Sequence, residues 1–380
     1  MGKTLSEARC WMRVTILVLT LVLLSALSTS LLPPARISGE LFAAGSNPEE
    51  AVVWPDLDWE IATPSQVGMD TAKLAQAQSY ALKGGGSGYI IRRGRLVWSW
   101  GNPATRYELK STTKSIGVTG LGLAIQDGRL DLDDFAQRYH WSFGTNNEKN
   151  HRTGWLDDIT IRQLATHTAG FEKAGTRPEI IFPPGTAWAY SDAGTNWLAD
   201  LLTLMYQQDL KDGFFTRIFT PLGISAAELS WRNGPRAKKH EVQKREFGSG
   251  ISASVNALAR IGYLYLRAGR WRGEQLIPQS FVAEVRSTQP SVVGLPELFS
   301  REYGNASDHY GLLWWNNADG ALENVPRDAY WSWGLKDSLI IVIPSLDLVI
   351  ARAGDGWRKG WDANYDVLRP FIEPIVGSVH

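Results

Sequence analysis

"YELKSTTKSIGVTGLGLAIQDGRLDL", residues 107–132, places Ser111 three residues before Lys114 at the mouth of a long apolar run. Three residues on a helix is one turn, so the two side chains share a face. Ile116, Val118, Leu121, Leu123 and Ile125, with Gly117, Gly120, Gly122 and Ala124 between them, make the segment apolar almost all round. That pattern predicts a central buried helix over about 111–127. Lysine is rarely buried without a partner or a task.

Ser111 stands where a helix N-terminus leaves amides unpaired and favours developing negative charge. A serine hydroxyl attacks a carbonyl only once a base takes its proton. A desolvated lysine can be that base. The bland reading of Ser-x-x-Lys is an N-cap serine followed by a solvated lysine. Further along, "YSDAGTNWLADLL" begins at Tyr190 after the turn-forming "PPGTAW". Tyr190 reads either as a packed aromatic with a satisfied hydroxyl or as a second base beside an ammonium group.

Outward from these segments, Thr71–Leu82 has helical spacing, and "GSGYIIRRGRLVWSWG" reads as a hairpin turning at Arg93-Gly94. Short helices are predicted over Ile161–His167, Asn196–Gln207 and Ser254–Ala268. Strands follow over Ala329–Trp333, Ser338–Pro344 and Leu346–Ala353, then a closing helix over about Asp362–Ile375. Elements from both ends therefore build one antiparallel sheet flanked by helices. A mostly helical insertion forms the other side of a cleft, giving an α+β (α/β sandwich) fold. The sheet part is placed at about 59–108 and 305–376 and the helical part at about 109–304, within a domain spanning 46–376.

The 380 residues carry 39 basic and 39 acidic side chains, so no basic excess points to nucleic acid. Cys10, in the leader, is the one cysteine, which removes disulfide frameworks and thiol nucleophiles from the rest. Lys3, Arg9 and Arg13 precede an apolar run from Val14 to about Leu27, with Ala26-Leu27-Ser28 as a cleavage site. An export signal is predicted, with a retained membrane anchor as its alternative, because apolar character continues to Leu32. The body is then periplasmic or extracellular. Pro33–Pro55 reads as a linker.

With these segments on the page, the chain resembles the serine β-lactamase and penicillin-recognising superfamily. Within it, the likeness is to class C β-lactamase-like esterases and amide hydrolases, including 6-aminohexanoate-oligomer hydrolases. "STTKS" matches the first motif and "YSD" stands where that family has Tyr-x-Asn. "ITIRQLATHTAGF" from Ile159, the segment 248–278 and "IIVIPSLDLVI" from Ile340 are similar to family segments, in order, over about 59–375. The resemblance implies Ser111 as acyl-enzyme nucleophile, Lys114 and Tyr190 as coupled base system, and the amides of Ser111 and Leu335 as oxyanion hole. The third motif, Lys/His-x-Gly, falls on Ser332-Trp333-Gly334.

Two departures bear on substrate. Asp192 replaces the amide of the second motif; it is read either as a helix N-cap or as a carboxylate approaching Lys114. In the latter case Tyr190 becomes the expected proton acceptor, with Lys114 holding it ionised. Ser332 replaces the basic residue that would hold a substrate carboxylate, so small esters or amides with uncharged or apolar acyl groups are expected. β-Lactamase or D-Ala carboxypeptidase activity is the alternative, and an inactive envelope scaffold the second alternative. Asp192, Ser332, Trp333 and Gly334 are the expected substrate-binding residues. Lys336 reads as a solvated turn residue and His167 as a structural hydrogen-bonding group. No G-x-S-x-G elbow supports an α/β-hydrolase, and six scattered histidines suggest no metal or other cofactor.

Overall fold

The computed structural model describes residues 52–234, 238–239, 241–299, 303, 305–358 and 365–380. Six strands form the main sheet: β1 Ser87–Arg92, β2 Arg95–Trp100, β3 Trp315–Asn316, β4 Tyr330–Trp333, β5 Leu339–Ile343 and β6 Leu348–Ala353. Their order across the sheet is β3-β4-β5-β6-β1-β2, and every pairing is antiparallel. The two ends of the chain meet where Ile90 on β1 faces Ile350 on β6.

β5 and β6 are buried at every residue, which accounts for their unbroken apolar sequence: both sheet faces are covered. The helix Val255–Leu266 covers one face. A Cβ on its Gly262 would lie 2.6 Å from Val349 Cγ1 and 2.8 Å from Ile340 Cγ2, so helix and strands touch without a side chain between them. On the other side the helices Thr71–Ala81 and Arg369–Gly377 pack together, with Phe371 edge-on to Trp100 at 6.1 Å and tilted against Trp357 at 5.1 Å.

Between β2 and β3 the chain is mostly helical. It also holds a short three-stranded sheet of Tyr107–Glu108, Leu229–Trp231 and Ile251–Ala253, which the periodicity did not reveal. The central helix runs as Thr112–Gly117 and Thr119–Gln126, meeting at Val118. Its glycines are seats for aromatic rings: a Cβ on Gly117 would lie 2.5 Å from Phe247 Cδ1, and one on Gly122 2.6 Å from Phe281 Cδ1. This is how an apolar helix with little side-chain bulk is packed on all sides.

Three expectations need correction. Membrane attachment through the N-terminal apolar segment is not carried further: among the described residues no helix is long and apolar enough to cross a membrane. The leader that carried both the anchor and the export readings lies outside the described residues. The end of the expected linker is packed, with Trp54 edge-on to Tyr263 at 5.6 Å and to Trp271 at 5.4 Å. The last helix starts at Arg369, later than expected, after a 3₁₀ turn at Tyr365–Val367; Pro370 occupies its first turn, where a missing N–H costs nothing.

Candidate active site

Ser111 opens the central helix without capping it. Its hydroxyl accepts from no helix amide, and instead lies 3.1 Å from Lys114 Nζ. Lys110, just before it, sits at φ 51°, a left-handed conformation that costs a non-glycine residue roughly 1–3 kcal/mol. Neither half of the bland reading describes the pair, because Lys114 is only 1% exposed.

The buried amine has three further neighbours. It forms an ion pair with Asp192, donates to the Gly248 carbonyl at 2.8 Å, and lies 4.8 Å from the centre of the Tyr190 ring. Burial pushes the Lys114 pKa below its ordinary value, and the Asp192 carboxylate opposes that shift. Asp192 is the first residue of the helix Asp192–Tyr206, but the cap is Ser191, whose Oγ accepts from the Gly194 amide at 2.9 Å. Of the two readings open for Asp192, the ion pair is the one adopted.

Tyr190 is fixed by its faces. It stacks on Tyr303 at 5.0 Å and 10° and leans on His167 at 4.5 Å. Burial pushes its phenol far above the usual tyrosine range, Asp192 adds to this, and a hydrogen bond with Ser111 opposes it. His167 holds the tyrosine's neighbourhood together. Its Nδ1 accepts from the Ser191 amide at 3.2 Å, leaving Nε2–H for the Tyr310 hydroxyl at 3.1 Å. Burial first, and Lys114 second, hold its pKa well below the usual histidine value, so it stays neutral.

The turn after β4 is brought close to the head of the helix by a glycine. A Cβ on Gly334 would sit 2.1 Å from the Leu109 carbonyl oxygen and 2.3 Å from Ser338 Oγ. Ser338 Oγ donates to that carbonyl at 2.6 Å, and Thr112 Oγ1 donates to the Ser338 carbonyl at 2.7 Å. These bonds tie the head of the helix to the turn carrying Leu335. Among the described residues, neither the Ser111 nor the Leu335 amide donates to another group. Gly334→Ala is expected to cost about 1–3 kcal/mol of stability and to slow acylation by pushing the turn off the helix. Thermal melts and acylation rates on the same preparation check both effects.

The other two residues of the third motif are buried. Ser332 is fully buried; its hydroxyl accepts from the Ile340 amide at 2.9 Å and lies 3.3 Å from Thr112 Oγ1. Trp333 is 1% exposed and donates from Nε1 to Asp337 at 2.9 Å. Ser332 thus links β4 to the head of the helix through Thr112, and Trp333 packs on Trp315 and Tyr365. Lys336 lies on the surface, paired with Asp355 at 2.7 Å, as a solvated turn residue would be. Among the described residues no group of three or more His, Cys, Asp or Glu is placed to hold a metal ion.

Gly248 and Asn196 were not singled out from the sequence. Asn196 Oδ1 accepts from the Gly248 amide at 2.8 Å, next to the bond that Lys114 donates to the Gly248 carbonyl. The available signal was helical: Asn196 is four residues beyond Asp192 and shares its face.

Comparison with known proteins agrees with this architecture. A family model described as Beta-lactamase matches residues 76–367. An uncharacterized protein of Alkalihalophilus pseudofirmus is 23% identical over 312 residues, covering 74% of this chain and 87% of the relative. Among solved structures, a candidate β-lactamase from Bacteroides dorei superposes with a TM-score of 0.64 at 16% identity, covering 81% of this chain and 99% of that one. A family VIII carboxylesterase superposes with a TM-score of 0.59 at 16% identity, over 82% and 99%. On the strength of the matched family model and this shared fold, the chain belongs to the β-lactamase family of the serine-hydrolase superfamily.

Proposed function

We propose that the protein hydrolyses small esters or amides through an acyl-enzyme on Ser111. The observation that carries this reading is the 3.1 Å approach of Ser111 Oγ to a lysine amine that is almost wholly buried. Ser111 Oγ bonds to the substrate carbonyl carbon while its proton passes to Lys114 in its deprotonated form, which burial favours and the pairing with Asp192 opposes. The amides of Ser111 and Leu335 receive the negative charge on the carbonyl oxygen, a contribution of roughly 3–4 kcal/mol. Tyr190 donates its phenolic proton to the departing oxygen or nitrogen as the carbonyl–leaving-group bond breaks. Water then attacks the acyl-enzyme, giving its proton to the Tyr190 phenolate, and Lys114 returns a proton to Ser111.

This division of labour reverses the expectation drawn from Asp192. The directions of the shifts support it: burial lowers the proton affinity of Lys114 and raises that of Tyr190. A base needs the first and an acid needs the second. The side-chain environment also supports an uncharged acyl group. Ser332 occupies the place of the carboxylate-binding cation, and Lys336 is engaged with Asp355.

Turnover of nitrocefin and of p-nitrophenyl butyrate, measured side by side, tests the substrate assignment. The ester is expected to be the faster; faster nitrocefin turnover would establish the β-lactamase alternative in its place. Failure of a fluorophosphonate to add to Ser111, read by intact mass, would favour an inactive scaffold.

Asp192→Asn offers a check on the base. Removing the carboxylate removes the opposing influence on Lys114, so its pKa falls further and the amine is neutral at lower pH. The acidic limb of the kcat/KM profile is expected to move to lower pH. A limb that stays in place would take Lys114 out of the base role.

A further inference from the structure

We infer that Asn196 is a positioning residue for Lys114, acting through Gly248: it holds the Gly248 N–H so that the Gly248 carbonyl faces the amine. This rests on the catalytic reading above and names a residue that the reading does not contain.

A Cβ at 248 would lie 3.2 Å from Asn196 Oδ1 and 3.3 Å from Asp192 Cβ, so a larger residue would press on both side chains. Glycine has the widest backbone freedom, and a carbonyl on it points nowhere in particular unless both sides are held. Here both are. Asn196 Oδ1 accepts from the Gly248 amide at 2.8 Å, and on the following residue Ser249 Oγ accepts from Arg232 at 2.6 Å. Between these two anchors the Gly248 carbonyl accepts from Lys114 Nζ at 2.8 Å.

Asp192 and Asn196 thus act on one amine from adjacent turns of one helix, the first by charge and the second by geometry. The carbonyl is the uncharged acceptor that holds Nζ in place while the amine changes protonation state. Asn196 also borders a cavity of about 280 Å³ with Ala193, Asp200, Lys244 and Glu246, so its side chain is not simply buried packing. The charged and titratable groups around Lys114 are Asp192 and Tyr190 beside it and His167 behind Tyr190. Further along the same helix face lie the Lys244–Asp200 pair and Glu246.

Two variants separate positioning from packing. Asn196→Leu keeps the size and loses the acceptor. Asn196→Asp keeps an acceptor and adds negative charge on the Lys114 side of the helix. Rates of p-nitrophenyl butyrate hydrolysis and of fluorophosphonate addition to Ser111 are measured against pH. For N196L, kcat and the labelling rate are expected to fall about tenfold or more, the scale of a misplaced catalytic group, with KM within about twofold. N196D is expected to lose less than N196L, and its acidic limb to move to higher pH, because added negative charge favours the ammonium form. Wild-type kcat and pH profile in N196L, or an unmoved limb in N196D, would overturn the inference. If N196L does not fold, the limb of N196D decides. Failure to label Ser111 in the wild-type protein would instead remove the catalytic reading, and this inference with it.

Discussion

Ser111→Ala is expected to abolish acyl transfer and leave the fold in place. The loss in kcat should reach at least about 10⁴-fold, as for other hydrolases stripped of their nucleophile. The remaining helix-end amides can still polarise a carbonyl, but nothing is left to form the covalent bond. The hydroxyl caps no helix amide. Without it, Lys114 keeps Asp192 and the Gly248 carbonyl. Stability should therefore change by no more than about 1 kcal/mol, the scale of one hydrogen bond. Intact mass after incubation with an ester, together with a thermal melt, reads both effects. Near-wild-type turnover would remove the mechanism, whereas loss of the fold would say that the hydroxyl is structural.

Tyr190→Phe should have the second largest effect, and its size should depend on the leaving group. The ring is gripped by Tyr303, His167 and the Lys114 amine, so phenylalanine fits the same stack. What is lost is one proton donor held far above its ordinary pKa by burial. For an alkyl amide, whose nitrogen cannot leave unprotonated, the expected cost is at least about 100-fold. For a p-nitrophenyl ester, whose leaving group is a stable anion, the cost should be clearly smaller. Equal losses on both would mean that Tyr190 acts on Ser111 as a base, as first read from the sequence. A loss of only a few-fold on both would leave the whole proton traffic to Lys114.

Much of the architecture was legible because it rests on local pattern. The hairpin 86–101 shows itself through a turn between two apolar runs, and Leu339–Ile343 through an unbroken one. The three-stranded sheet did not show itself, since its strands are two or three residues long and one of its two pairings joins Tyr107–Glu108 to the distant Ile251–Ala253. The helix Asp192–Tyr206 was placed four residues late, because its start depends on Ser191 finding the Gly194 amide.

The same division runs through the candidate site. By itself the sequence determined that Ser111 and Lys114 lie on one helical face, one turn apart, since that follows from helix geometry alone. It also determined that the strands of both chain ends are sheet material. Only the tertiary structure decided that Asp192 pairs with an amine 78 positions away, that Ser332 and Trp333 turn into the core, and that Gly248 and Asn196 enter the network. It also set the surroundings in which Lys114 and Tyr190 hold their protons. Proton affinity depends on how much water is removed and which charges are brought near, and both are set by packing between distant segments.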